Sequence, residues 1–148
     1  MAVNSVRERI LLAVMAAVRP PVQALGATLH RSPAVAIARE QCPALAVYPE
    51  SDAIASRAND RVTRELTVRM TALARAVPPA TPETEADRLL VAAHAALMAD
   101  LNVGGLALGI HELDCEWDVE DADAVAAAIP ARYRITYRTL AADLATPA

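Results

Sequence analysis

Residues 111–120 read His-Glu-Leu-Asp-Cys-Glu-Trp-Asp-Val-Glu, and residues 131–139 read Ala-Arg-Tyr-Arg-Ile-Thr-Tyr-Arg-Thr. In the first stretch every second residue is acidic (Glu112, Asp114, Glu116, Asp118, Glu120), with Leu113, Cys115, Trp117 and Val119 between them. Successive side chains leave a strand on opposite faces, so this alternation predicts a half-buried strand with its carboxylates in one outward row. Neighbours in that row would stand about 7 Å apart and repel by roughly 0.6 kcal/mol in bulk water, and by more in a drier place. Such a row faces water, a source of cations, or arginines. The second stretch supplies arginines: Tyr133, Ile135 and Tyr137 point inward, and Arg132, Arg134, Thr136 and Arg138 point outward. Antiparallel pairing of the two strands would set opposite charges across from each other. Exposed cross-strand pairs are worth only a few tenths of a kcal/mol each, so the charges speak to register and partners more than to stability. Two readings stay open, a solvated sheet face and a charged contact or lumen surface in an assembly.

Working outward, Glu65 to Ala74 alternates in the same manner, with Leu66, Val68, Met70 and Ala72 on one face. Leu45 to Tyr48, boxed by Pro43 and Pro49, reads as a short strand near an edge. Residues 50–60 read as polar and turn-prone, and Ala27 to His30 as another short strand. Two helices frame these strands. Ser5 followed by Glu8 is a capping box, and Val6, Ile10, Val14 and Val18 recur on one face, giving a helix over 5–19 ended by Pro20-Pro21. Thr81 suits an N-cap and Pro82 the first helical position, where its missing amide has no partner to lose. Leu89, Leu90, Ala93 and Leu97 then mark one face of a helix to about Asp100, closed by Gly104 and Gly105. Residues 121–130 read as an acidic, Ala-rich loop or short helix. The order predicts one α+β domain over residues 1–148, a largely antiparallel or mixed β-sheet with two main helices packed on one face.

Composition narrows the function classes. The chain has 148 residues, 55 % hydrophobic but only 3 % aromatic with no Phe, so its core must be built from Ala, Val, Leu and Ile. All 14 basic residues are Arg, and the net charge is −4 with no basic block, which argues against an open nucleic-acid-binding face. The two cysteines, Cys42 and Cys115, form neither a disulfide framework nor a Cys-x-x-Cys metal site, so a reduced, cytoplasmic setting is the expectation. Arg7 and Arg9 before Ile10 to Val18 imitate a signal peptide, but Glu8 interrupts the basic region and the Pro pair interrupts any approach to a cleavage site. No stretch has the roughly 18–20 apolar residues of a membrane span.

Catalytic chemistry is hard to find. His111-Glu112 lacks the second histidine of a zinc-protease helix, no glycine-rich phosphate loop exists, and Ser5, Ser32, Ser51 and Ser56 have no nucleophile-elbow context. His30 and His94 read as isolated structural histidines, and Cys115 beside Trp117 as a buried thiol. Asp114, Glu116 and Asp118 are oxygen ligands of the kind Mg²⁺ or Ca²⁺ prefers, but a strand spaces them too widely for one ion without a second segment. No cofactor and no catalytic residue is expected, and a divalent-metal domain on the Glu112–Glu120 row is the weaker alternative.

The chain resembles the tail terminator (minor tail protein U-like) proteins of long-tailed bacteriophages, prophages and gene transfer agents. The likeness rests on Val6-Arg7-Glu8-Arg9-Ile10-Leu11, on residues 38–49 (Ala-Arg-Glu-Gln-Cys-Pro-Ala-Leu-Ala-Val-Tyr-Pro), on Arg64-Glu65-Leu66-Thr67-Val68 and on residues 92–100 (Ala-Ala-His-Ala-Ala-Leu-Met-Ala-Asp). It continues from Gly105-Leu106-Ala107 through the acidic strand to residues 132–138. These are pattern-level matches without an invariant motif or catalytic signature. The resemblance implies a virion subunit that forms a homo-oligomeric, hexameric ring, caps the tail tube protein, and meets a neck, connector or head-completion protein. DNA would pass through the lumen only as cargo, and no membrane is involved. Glu112, Asp114, Glu116 and Asp118 are then lumen or neighbour candidates, and Arg132, Arg134 and Arg138 candidates for intersubunit or cross-strand pairs. Another neck or tail-completion protein of the same virion is the nearest alternative.

Overall fold

A computed structural model of the chain describes residues 2–76, 79–117 and 126–148. They form α1 (Val6–Ala24), β1 (Thr28–Arg31), β2 (Ala44–Ala58), β3 (Arg61–Arg75), α2 (Pro82–Met98), β4 (Gly109–Cys115), β5 (Ala126–Leu140) and β6 (Asp143–Pro147). The sheet runs β1-β2-β3-β5-β4, with β6 paired to β5. The β1–β2 pair is parallel and the others are antiparallel, so the fold is the expected α+β class with a mixed sheet.

The centre follows from alternation. Along β3, Leu66, Val68, Met70 and Ala72 are buried, and along β5, Ile129, Tyr133, Ile135 and Tyr137 are buried. The register sets Leu66 opposite Ile135 and Val68 opposite Tyr133, so both apolar rows share one face. That face is covered by α2 over β3 and β5 and by α1 against β1, β2 and β6, the helices touching each other. α1 contributes Val6, Ile10, Val14, Val18 and Val22, and α2 contributes Ala86, Leu89, Ala93 and Leu97. Fully buried Ala44, Ala46, Ala72, Ala86 and Ala93 bring backbones close where a core without Phe has little bulk to fill.

Several boundaries depart from expectation. α1 does not stop at Pro20-Pro21 but continues to Ala24. Each proline removes one amide-to-carbonyl bond four residues back, and the carbonyls so freed belong to Ala16 and Ala17, both exposed, where water can serve them. Buried Val18 and Val22 hold the last turn on the core. β2 is likewise no short strand: it runs through Pro49 and the supposed turn at 50–60 to Ala58. β1 pairs only with Ala44–Val47, so Pro49 sits on an open edge where its missing amide costs no ladder bond, and the register shifts beside it, between Pro49 and Ser51. The turn falls at Asn59-Asp60, with Asn59 in the left-handed region at φ 58°.

Residues 126–130 are strand, not loop or helix, because Ala127 and Ile129 continue the buried row against β3. The rest of the expected acidic loop lies outside the described residues. β6 had no forecast in the sequence. Ser5 caps α1 through the Glu8 amide at 3.2 Å, but Glu8's carboxylate turns away from the box to accept from Arg31 at 2.7 and 2.5 Å. Thr81 does precede α2, with its hydroxyl bonded to that of Thr84 instead of a backbone amide. Gly104 and Gly105 turn the chain toward β4 at φ 63° and 88°.

Candidate functional site

β4 and β5 do pair antiparallel, as the opposed charges suggested. Ile110 lies opposite Ile135, His111 opposite Arg134 and Glu112 opposite Tyr133. The register then shifts, and Asp114 lies opposite Arg132. The residue inserted there is Leu113, a β-bulge, and an extra residue reverses every face after it. Glu112 therefore shares the helix-covered side with Tyr133, while Asp114 stands on the outer side with Arg132. The single acidic row expected from the alternation does not exist: its first two members are on opposite faces. Glu116 follows the strand, its amide donating to the Pro130 carbonyl at 3.2 Å. Asp118 and Glu120 lie outside the described residues.

The apolar half of that alternation also fails. Leu113 is 38 % and Trp117 58 % exposed, and Cys115 is an exposed thiol, not a buried one. α2 lies over β3 and β5, and Ile110 is the one residue of β4 that is buried. Left largely exposed on its inner side among the described residues, this strand end has little against which to sort its faces.

On the outer face, charges interleave. Arg132 donates from Nε and Nη2 to the two carboxylate oxygens of Asp114 at 2.8 and 2.6 Å. This two-point pair holds the Asp114 carboxyl below its ordinary range and raises the already high Arg132 guanidinium. Arg69 and Arg132 are direct cross-strand neighbours, and Glu50 lies between them at 3.7 and 3.6 Å. Arg69 also stacks over the Tyr48 ring at 4.5 Å. Arg134 reaches Glu65 at 3.8 Å, with its Nε buried and without a partner. Arg138 donates to the Thr63 hydroxyl at 3.2 Å. The predicted arginine row is thus real, and it draws its carboxylates from β2 and β3 (Glu50, Glu65) as well as β4.

Two clusters escaped the sequence reading. His94 is not isolated: it shares a 2.8 Å hydrogen bond with the Tyr133 hydroxyl, and its Nε2 lies 3.5 Å from Glu112. Burial, with Glu112 adding to it, pushes the Tyr133 hydroxyl's pKa up. Asp52, placed by its neighbours in a turn, is instead a largely buried carboxylate that accepts from Arg7 at 3.0 Å and from the Tyr137 hydroxyl at 2.5 Å, tying α1, β2 and β5 together. The available signal was Tyr137 itself, an inward tyrosine whose hydroxyl needs a buried partner. Among the described residues, no group of three or more His, Cys, Asp or Glu side chains is placed to hold a metal ion. No helix among them is long and apolar enough to cross a membrane.

No protein-family model matches the chain, and no curated protein matches it in sequence. The fold does match a chain of a virion of a native gene transfer agent (GTA) particle, with a TM-score of 0.57. The match spans 83 % of this chain and 90 % of that one, at 12 % identity.

Proposed function

We propose that this chain is a structural virion protein of a phage or gene transfer agent particle, and that it forms the ring that caps the tail tube, ends its polymerisation and joins tail to neck. The observation that carries the reading is the near full-length fold likeness to a chain of a gene transfer agent virion. At 12 % identity that likeness speaks to fold alone. The capping role is the part of this reading that comes from the resemblance of the sequence to tail terminators.

The outer sheet face supports this use. Arg132 is engaged by Asp114 and approached by Glu50, Arg69 by Glu50 and Arg134 by Glu65, so the arginines at the middle of this face are already matched by carboxylates. A wall of pre-paired charges, in a chain of net charge −4, lets DNA pass as cargo without holding it. The same face offers polar partners to a neighbouring subunit, the tail tube protein or the neck.

Native mass spectrometry of the purified chain over a wide concentration range tests the ring. A hexamer of the 15.6 kDa subunit is expected near 94 kDa. Adding the chain to polymerising tail tube protein tests the role, with capped tubes of arrested length expected. Tubes that grow past it unchanged, with binding to the connector instead, would assign the chain to another neck position. Within this reading Arg134→Glu weakens assembly more than folding. An intact ring with a lowered melting temperature would count against that placement.

A further inference from the structure

The β2–β3 hairpin is incompletely covered by its own chain. Beyond Val47 no described strand pairs with the outer edge of β2, and from Ala53 to Ala58 the strand is exposed on both faces. Open, two-sided strand ends are normally shielded or used in contacts. On one face this end presents Ile54, 46 % exposed, and the exposed Arg57, opposite Arg64 and Val62 of β3. Arg61, also exposed, stands just past the turn. The hairpin end is thus an apolar and cationic knob.

A groove of inverse character lies on the opposite flank. It is a cleft of about 340 Å³ between α2 and the β4–β5 ladder, lined by Leu90, Val91 and Tyr133, by Asp87 and Glu112, and by the Asp114–Arg132 pair, whose charges offset each other. Val91 is 62 % exposed there, and the Glu112 side chain is 65 % exposed with His94 Nε2 at 3.5 Å. The groove wants an apolar contact and a cation, which Ile54 and Arg57 together provide.

The knob cannot fill its own groove. Arg61 lies beside Leu140, eight residues along β5 from Arg132, a distance of roughly 26 Å at about 3.3 Å per residue. Two complementary patches on different flanks of one subunit make a head-to-tail contact, which closes into a ring when the rotation allows. Resting on the ring reading above, we infer that the β2–β3 hairpin of one copy, led by Ile54 and Arg57, docks in the α2–β4 groove of the next, against Val91, Asp87 and Glu112.

The test reverses each side separately. R57E/R61E and D87R/E112R, all at exposed positions, are expected to keep the wild-type circular dichroism spectrum while each raises the dissociation constant of the ring at least tenfold. Mixed in equal amounts, the two variants are expected to recover the ring, because every contact in an alternating even-membered ring then joins opposite charges. Variants that assemble like the wild type, or a mixture that fails to recover, overturn the docking while leaving the ring intact. A wild-type chain that stays monomeric at every concentration overturns both.

Discussion

β5 lies between β3 and β4 with helices over its inner side, whereas β4 has a strand partner on one side and is buried at Ile110 alone. Both strands carry regular alternation, in tyrosine and isoleucine against arginine on β5 and in leucine and cysteine against carboxylates on β4. β5 keeps every odd residue from Ala127 to Thr139 buried, while β4 inserts Leu113 and sends Glu112 and Asp114 to opposite faces. The difference teaches that alternation fixes a strand's faces when there is something to bury them against. In β5 slipping by one residue would expose Tyr133, Ile135 and Tyr137 together, a loss of several kcal/mol at about 1.5–3 kcal/mol per large side chain. In β4 the shift comes after Ile110, the strand's buried residue, so it exposes nothing that was covered and relieves the spacing of like charges.

Truncation should show this contrast most strongly. Ile135→Ala, at a fully buried position, is expected to cost about 2–5 kcal/mol in urea unfolding. Leu113→Ala, at the bulge, is expected to stay within about 0.5 kcal/mol of wild type. Equal losses at the two positions would mean that β4 is covered in solution by a contact that the isolated chain lacks. Tyr137→Phe comes next. It removes the donor that reaches Asp52, whose other carboxylate oxygen is already buried without a partner. A loss of about 1–3 kcal/mol is expected, read in the same unfolding experiment. A neutral result would mean that water reaches Asp52 and that α1 is held to the sheet by its apolar face alone.

These contrasts also mark what could be read from the sequence. The rows Leu66-Val68-Met70-Ala72 and Tyr133-Ile135-Tyr137, both helical faces, and the antiparallel pairing of the acidic and arginine segments were legible, because each is a local pattern backed by burial. The extent of β2 was hidden by Pro49, whose acceptability depends on the edge left open by the short β1. The passage of α1 through Pro20-Pro21 was hidden because it depends on Val22 being buried and Ala16 and Ala17 being exposed. At the site, Asp114 and Arg132 were legible as members of two opposed charged rows, whereas their pairing and the roles of Glu50, Glu65, His94 and Asp52 arise from register and from contacts between segments distant in the chain. The bulge at Leu113 was not legible, since the alternation gives no sign of a missing cover.

The smallest expected effect concerns acid. Asp114 owes its lowered pKa first to the hydrogen bonds from Arg132, so the folded state binds its proton more weakly than the unfolded chain does. A carboxyl lowered in this way stabilises the fold fully above its unfolded value, near pH 4 for an aspartate, and that stabilisation fades as pH falls through the lower folded value. Asp114→Asn should therefore sit slightly below wild type in melting temperature at pH 7, and the two should converge as the buffer is taken below about pH 4. Added salt should narrow the gap at pH 7 as well, because the pair lies open to solvent. The Ile135→Ala deficit should show neither trend, since no charge takes part in it. A gap that survives in acid would mean that Asp114 acts through its shape at the bulge, and the edge of the sheet would then be sorted by packing after all.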